Sequence, residues 1–298
     1  MCGAMEAHLR LCEVYPEIRV RRGKIHAETE IMVRRGVAFR RVAKTKSARV
    51  TIPVVVHVVY RTTDENISDA QIRSQIVALN RDYSANNPDK GTVPGVWKGI
   101  IADAQIKFVL ATKDPKGKKT NGITRTETKR VSFGSHDTVK RASTGGASAW
   151  PSAKYLNLWV CSLGEGLLGY AQFPGGPAAT DGVVILNTAF GTTGTAAVPF
   201  NLGRTAVHEV GHWLNLSHMW GDTSDCSGTD HVGDTPNAQL PNYGKPGFPH
   251  VTCTNGPNGD MFMNYMDYVD DAAMVMFSSG QVARMQATLA GPRSSIGT

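Results

Sequence analysis

The stretch His208-Glu209-Val210-Gly211-His212-Trp213-Leu214-Asn215-Leu216-Ser217-His218 decides how this chain is read. Its first five residues have the form H-E-x-x-H. On a helix, a spacing of four sets His208 and His212 on one face, about one turn apart. Two imidazole nitrogens so placed can reach one Zn²⁺ at about 2.0–2.1 Å. Glu209 lies beside them, where it can take a proton from water activated by the metal. His218, six residues after His212, is the candidate third ligand. A continuing helix would rotate it off the metal face, so the chain must turn sharply near residue 215. The extended form of the motif has Gly at that point. Asn215 stands here, and Asn is the non-glycine residue that best tolerates left-handed backbone. A lone histidine is usually an ordinary core or surface side chain. Three of them with an adjacent glutamate at this spacing predict a catalytic zinc site.

Outward from the motif, residues from about 202 to 214 read as its helix. Downstream comes Met261-Phe262-Met263-Asn264-Tyr265-Met266-Asp267-Tyr268. A methionine in such a run can be plain core filler. Lying 48 residues after His218, Met266 resembles the Met-turn of the metzincins, beneath the metal. Tyr268 follows two residues later. Its phenol either reaches the zinc region, to bind the metal or donate to a transition-state oxyanion, or is an ordinary core tyrosine.

Upstream, Val50–Tyr60 is β-branched and nearly continuous, as in a strand buried on both faces. Ser68 caps an amphipathic helix to Tyr83, with Ile72, Ile76, Leu79 and Tyr83 on one face. Residues Ile106–Ala111, Leu156–Cys161 and Val183–Leu186 read as further strands. Leu167–Pro174 reads as an edge strand ending in Pro, and Ser279–Leu289 as a last helix. The polar run from about 113 to 148 holds a strand or helix fragment that the pattern does not place. Residues 219–275 read as loop-rich.

The 298 residues suffice for one large domain or two small ones, and no apolar run approaches the ~18 residues that cross a bilayer. The formal net charge of +7 is localised. Residues 1–49 hold twelve Lys/Arg against five Glu, an excess of seven, and the remainder holds 20 of each sign. That distribution fits a removable basic segment over 1–49 better than a nucleic-acid surface, and no nucleic-acid or membrane partner is expected. No secretory leader with an apolar stretch and small-residue cleavage site is visible in residues 1–30. The expectation is an exported protein whose leader lies outside the sequence.

The residues Gly203–His218, Trp220-Gly221-Asp222, Gly233-Asp234-Thr235-Pro236, Asn264–Tyr268 and Met276-Phe277 together resemble the pappalysin (cytophagalysin) family of metzincins, over roughly residues 50–290. The resemblance implies an α+β catalytic domain over 50–298. Its upper subdomain, about 50–218, would carry a twisted, mostly parallel five-stranded sheet with helices. An irregular C-terminal subdomain, about 219–298, would lie below a zinc-holding cleft. It implies that Leu168, Gly169, Tyr170, Ala171 and Gln172 form the edge strand that pairs with substrate backbone. It implies structural Ca²⁺ in the loop after the third histidine, with Asp230, Asp234 and Thr235 as candidates. It also implies a disulfide between Cys226 and Cys253, consistent with an oxidising compartment. Lys245 and Ala273 stand where relatives carry a second cysteine pair. Cys2-Gly3 resembles the start of family pro-segments, whose thiolate can fill the fourth zinc position and hold the enzyme latent.

The expected activity is that of a secreted zinc metalloendopeptidase acting on protein or peptide substrates, made as a latent precursor. A preference for Lys or Arg after the scissile bond would call for an acidic pocket residue, with Asp267, Asp270 and Asp271 available. Self-cleavage near Ser47-Ala48-Arg49-Val50, with Lys44, Lys46 or Arg49 after the cut bond, would release the basic segment. The rival reading is a catalytically silent zinc-containing module that presents a peptide groove; the presence of Glu209 argues against it.

Overall fold

The computed structural model describes residues 1–36 and 49–297. Its centre is β1 (Val50–Tyr60), buried without a break from Val54 to Val59. Each buried valine contributes ~1.5–3 kcal/mol relative to exposure, which is why so β-branched a run sits in the middle of a sheet. On one side β1 pairs in parallel with β4 (Leu156–Cys161). On the other, its 11 residues are long enough for two partners. The first half takes β2 (Ile106–Leu110) and the second takes β3 (Ile123–Glu127), both parallel. Beyond β4 lie β6 (Val183–Leu186), parallel, and β5 (Gly169–Ala171), antiparallel on the outer edge. The expected five lateral positions are therefore present, but six strands fill them. β3 is the element the polar 113–148 run concealed. Its only strand signal is a short alternation, half-exposed throughout, so it forms because β1 offers an open edge.

Five α-helices pack around this sheet among the described residues: α1 (Ala4–Val14), α2 (Glu17–Arg34), α3 (Asp69–Tyr83), α4 (Arg204–Trp213) and α5 (Ser279–Ala290). The Ser68 hydroxyl accepts from Gln71 N at 3.1 Å, as its capping position predicts. α3 lies against α4, and the Tyr83 hydroxyl donates to Val207 O at 3.0 Å. Arg204, the first residue of α4, is almost wholly buried and ion-paired with Asp89 and Asp82. Below α4 the chain from 219 to 278 is irregular apart from the two-residue strands β7 (Tyr243–Gly244) and β8 (Tyr268–Val269) and a short 3-10 turn at Asp271–Ala273. A Cys226–Cys253 disulfide ties this region. α5 closes it with a capping box between Ser278 and Gln281.

The N-terminal arm is not a detached unit. α1 lies along β5 and α2 along α5. The buried positions of α2 are Ile18, Arg22, Ile25 and Thr29, spaced four, three and four, so one helical stripe faces the catalytic body. Arg10 donates to Ser135 O and pairs with Asp137, and Arg21 donates to Gly175 O at 2.8 Å. The candidate self-cleavage segment before Arg49 lies outside the described residues. Arg49 itself makes a two-pronged contact with Asp103.

Two arm histidines make this docking pH-sensitive. Arg284 NH2 contacts His26 Nδ1, and an arginine can only donate, so that nitrogen must be unprotonated. Burial, then Arg22 and Arg284, hold His26 down at about 2. Burial, then Arg22 and Arg19, hold His8 at about 4. Released, both return to about 6.5, so the free arm binds more protons below that value. Docking is therefore at full strength above pH 6.5 and weakens as pH falls toward 4. Limited proteolysis of the intact chain should show α1–α2 becoming susceptible between pH 6.5 and 4.5. His26→Gln should flatten that profile.

Candidate metal centre and active-site cleft

α4 carries the first half of the site and stops where the sequence requires. After Trp213 the chain reverses at Asn215, which adopts φ +73°, the left-handed conformation expected of it. Leu216 N donates back to Gly211 O at 3.0 Å, and Leu216 O in turn accepts from His212 Nδ1 at 2.8 Å. The turn that delivers His218 thus also fixes the tautomer of His212. His208 Nδ1 donates to Tyr265 O at 2.7 Å, and His218 Nδ1 to Asp222 Oδ1 at 2.6 Å. With every Nδ1 so engaged, the three Nε2 atoms face one another. His212 Nε2 lies 3.1 Å from that of His208 and 3.0 Å from that of His218.

That convergence tests the fit of a metal. Tetrahedral ligands at 2.0–2.1 Å would stand about 3.3 Å apart, close to the spacing present. Three lone pairs pointed together in a buried site are otherwise mutually repulsive, and His208 and His212 are pushed toward the neutral, ligating form. Burial first, then the neighbouring histidines, hold His208 at about 3 and His212 well below its ordinary value. The Cys2 thiol completes the group: its sulfur and one nitrogen from each histidine all lie within 4.8 Å of one another, the one such cluster among the described residues. Three nitrogens and a sulfur are a zinc donor set.

Glu209 is fully buried beside this cluster, and no N–H or hydroxyl donor satisfies its oxygens; the Cys2 thiol is the polar group set against them. Burial raises it to about 8. A carboxylate left unsatisfied at that depth costs free energy that a purely structural residue would not keep. Burial and then Glu209 likewise raise the Cys2 thiol. Met266 forms the floor. A Cβ at Gly211 would stand 2.5 Å from its sulfur, so only glycine lets the helix settle onto it. The Tyr268 ring sits 5.0 Å from that of His218 and 5.7 Å from that of His208, and its hydroxyl donates to the Cys2 carbonyl at 3.2 Å.

The predicted edge strand is present but shorter than its sequence pattern, and its outer edge is occupied. Leu168 N donates to Met1 O at 2.9 Å, and Gly3 N to Gly169 O at 2.8 Å, so residues 1–3 run parallel beside β5. Tyr170 and Ala171 are buried. Gln172 turns inward to hold Pro177 O and the Thr180 hydroxyl. Of the calcium candidates, Asp230 accepts from Thr235 Oγ1 and Val232 N. Asp234 accepts from Ser278 Oγ and Gly280 N at the start of α5. Of the pocket acids, Asp267 and Asp271 line the cavity next to Glu209, and Asp270 does not. Sequence reasoning assigned no role to Asp222 or to Arg22. Arg22 is buried with its guanidinium 3.5 Å above the Phe173 ring. The Trp220-Gly221-Asp222 signature contained the first; nothing local marked the second.

Comparisons with known proteins agree with this geometry. The family model described as pregnancy-associated plasma protein-A, peptidase M43, matches residues 140–290. An extracellular metalloprotease of Pyricularia oryzae is 34% identical, with 97% of this chain and 88% of that protein covered. Solved mature mirolysin of Tannerella forsythia in complex with a cleaved peptide is 51% identical, covers 84% of this chain and 96% of its own, and superposes with a TM-score of 0.81. A Tannerella forsythia promirolysin mutant is 44% identical, covers 99% and 96%, and gives a TM-score of 0.86. With the three-histidine cluster, the buried glutamate and the methionine floor in one cleft, the chain belongs to the pappalysin family and is a metalloendopeptidase.

Proposed function

We propose that this chain is a secreted zinc metalloendopeptidase made in latent form, with residues 1–49 as its pro-segment. The carrying observation is the placement of Cys2. Its sulfur joins His208, His212 and His218 in one cluster, while Met1–Gly3 take the β5 edge that a substrate would pair with. With the cysteine withdrawn, three histidines and an open position remain, the arrangement of a catalytic rather than a structural zinc site. Export is supported by relatives named extracellular metalloproteases and by the Cys226–Cys253 bridge.

A zinc ion held there supplies Lewis acidity, polarising a carbonyl oxygen and acidifying water. Glu209, oriented into the same cavity and desolvated, takes the proton of the attacking water and passes it to the leaving amine. Tyr268, whose hydroxyl already donates to a carbonyl of the arm, donates instead to the oxyanion of the substrate. Leu168 and Gly169 offer the N–H and C=O that hold the substrate backbone in register. The preference for Lys or Arg after the scissile bond is supported by Asp271. Its Oδ2 accepts from Leu202 N and Arg204 N, and its Oδ1 has no partner among the described residues. Asp267 is less suited, because both its oxygens are engaged by Asn242. Structural Ca²⁺ in the loop after His218 would draw on Asp230, Asp234 and Thr235, of which Asp230 and Thr235 are already held together by a hydrogen bond.

Three measurements test the reading. Casein hydrolysis by the arm-free enzyme should be chelator-sensitive, and Glu209→Ala should lose at least ~10³-fold in kcat while retaining one zinc by elemental analysis. A zinc-bearing wild type without peptidase activity would favour the silent module. Cys2→Ala in the full chain should show immediate activity where the wild type is latent, read as the initial rate on a fluorogenic peptide. Asp271→Asn should raise KM for peptides with Arg after the cut more than for matched Leu peptides, read as the ratio of kcat/KM.

A further inference from the structure

Two of the three metal-facing imidazoles are braced by backbone carbonyls, of Tyr265 and Leu216. These acceptors come with the fold and no side-chain substitution removes them. His218 differs. It lies beyond the end of α4, where the chain has left regular structure, and it leans on a side chain.

The segment that follows His218 is shaped to bring that side chain back. Gly221 N donates to His218 O at 3.0 Å and closes a turn. Gly221 then adopts φ +62°, where a Cβ would lie 2.2 Å from Thr229 N. Asp222 follows at φ +59°. A non-glycine residue rarely adopts the left-handed conformation, and Asp does so at lower cost than most. Two successive left-handed residues reverse the chain so that a carboxylate four positions on meets its own histidine at 2.6 Å, a charge-assisted distance. Trp220 meanwhile stacks on the imidazole, with ring centroids 4.3 Å apart and planes 8° from parallel. The ring is held by its face and by its Nδ1 at once.

We infer that Asp222 is the positioning residue of the metal centre: through its hydrogen bond to His218 Nδ1 it sets the tautomer and orientation of the third ligand and so determines zinc affinity. It touches neither substrate nor metal. An anionic acceptor on the far nitrogen makes Nε2 a better donor to a cation, and loss of such a partner weakens metal binding about 10–100-fold. The inference rests on the metalloprotease reading of the same site.

The test compares full-length wild type with Asp222→Ala and Asp222→Asn. Zinc affinity is measured by competition with a chromophoric chelator. The visible spectrum of the Co²⁺-substituted protein reports ligand geometry, and the thermal midpoint of the metal-free protein reports the fold. Asp222→Ala should bind zinc about 10–100-fold more weakly and shift the Co²⁺ bands. Asp222→Asn, which keeps an acceptor without the charge, should fall between it and wild type. All three metal-free midpoints should agree. Unchanged affinity and spectrum in Asp222→Ala would overturn the inference. So would a weakened affinity matched by a lowered metal-free midpoint, which marks a merely structural role. If Asp222→Ala does not fold, wild-type behaviour in Asp222→Asn overturns it. A wild type that holds no zinc overturns the metal reading, and this inference with it. A zinc-binding wild type with an indifferent Asp222 overturns this inference alone.

Discussion

Three buried nitrogen lone pairs brought within about 3 Å of one another repel unless a cation lies between them, and much of the molecule is arranged to enforce that convergence. Each imidazole must present one defined nitrogen, so each needs an acceptor at the other. Tyr265 supplies one from the Met-turn, Leu216 one from the reversal after α4, and Asp222 one from the turn beyond it. The three acceptors lie on three separate stretches of chain. The helix, the reversal and the methionine floor therefore have to be correct together. The buried Arg204 cluster at the head of α4 and the Arg284 contact to Asn215 O hold the two ends of that assembly.

What could be read from the sequence, and what could not, follows from how local each signal is. The four-residue spacing of His208 and His212, the tolerance of Asn215 for positive φ and the cap at Ser68 are properties of a few neighbouring residues. Each appears in the structure as expected. β3 is non-local: residues 123–127 become a strand only because β1 is longer than β2, and no pattern within the segment says so. The acceptor role of Asp222 was hidden for a related reason. Its motif was visible, but the contact depends on backbone conformation at Gly221 and Asp222 rather than on residue type. The segment 168–172 was correctly placed at an edge, yet sequence periodicity overstated its length. Gln172, read as a pairing position, faces inward to brace the 174–177 turn.

The basic arm shows a similar limit of composition. Its charge marked it as distinct from the neutral remainder and as a removable segment, but said nothing of how it is held. The structure buries Arg22 over Phe173, a ring that packs edge-on to His212 at 5.1 Å, and places His26 against Arg284. Arg22 and Arg284 are like charges acting on one another across part of the interface, and the attraction comes from apolar contact at Ile18 and Ile25, the strand-like pairing at β5, the Arg10–Asp137 ion pair and scattered backbone acceptors. An interface of this composition can be stable and still be easily unsettled, because a proton added at His26 would meet the charges of Arg22 and Arg284.

The floor beneath α4 bears on how the motif itself should be written. H-E-x-x-H treats its third and fourth positions as interchangeable blanks. In this molecule they are not. Val210 fills the apolar core with a side chain that other aliphatic groups could replace with modest repacking. Gly211 faces the Met266 sulfur, where even a methyl group would collide. One position is therefore tolerant, and at the other any side chain would require Met266 to move. The close seating of the metal-binding helix on its methionine floor thus depends on a side chain that is absent as much as on those that are present.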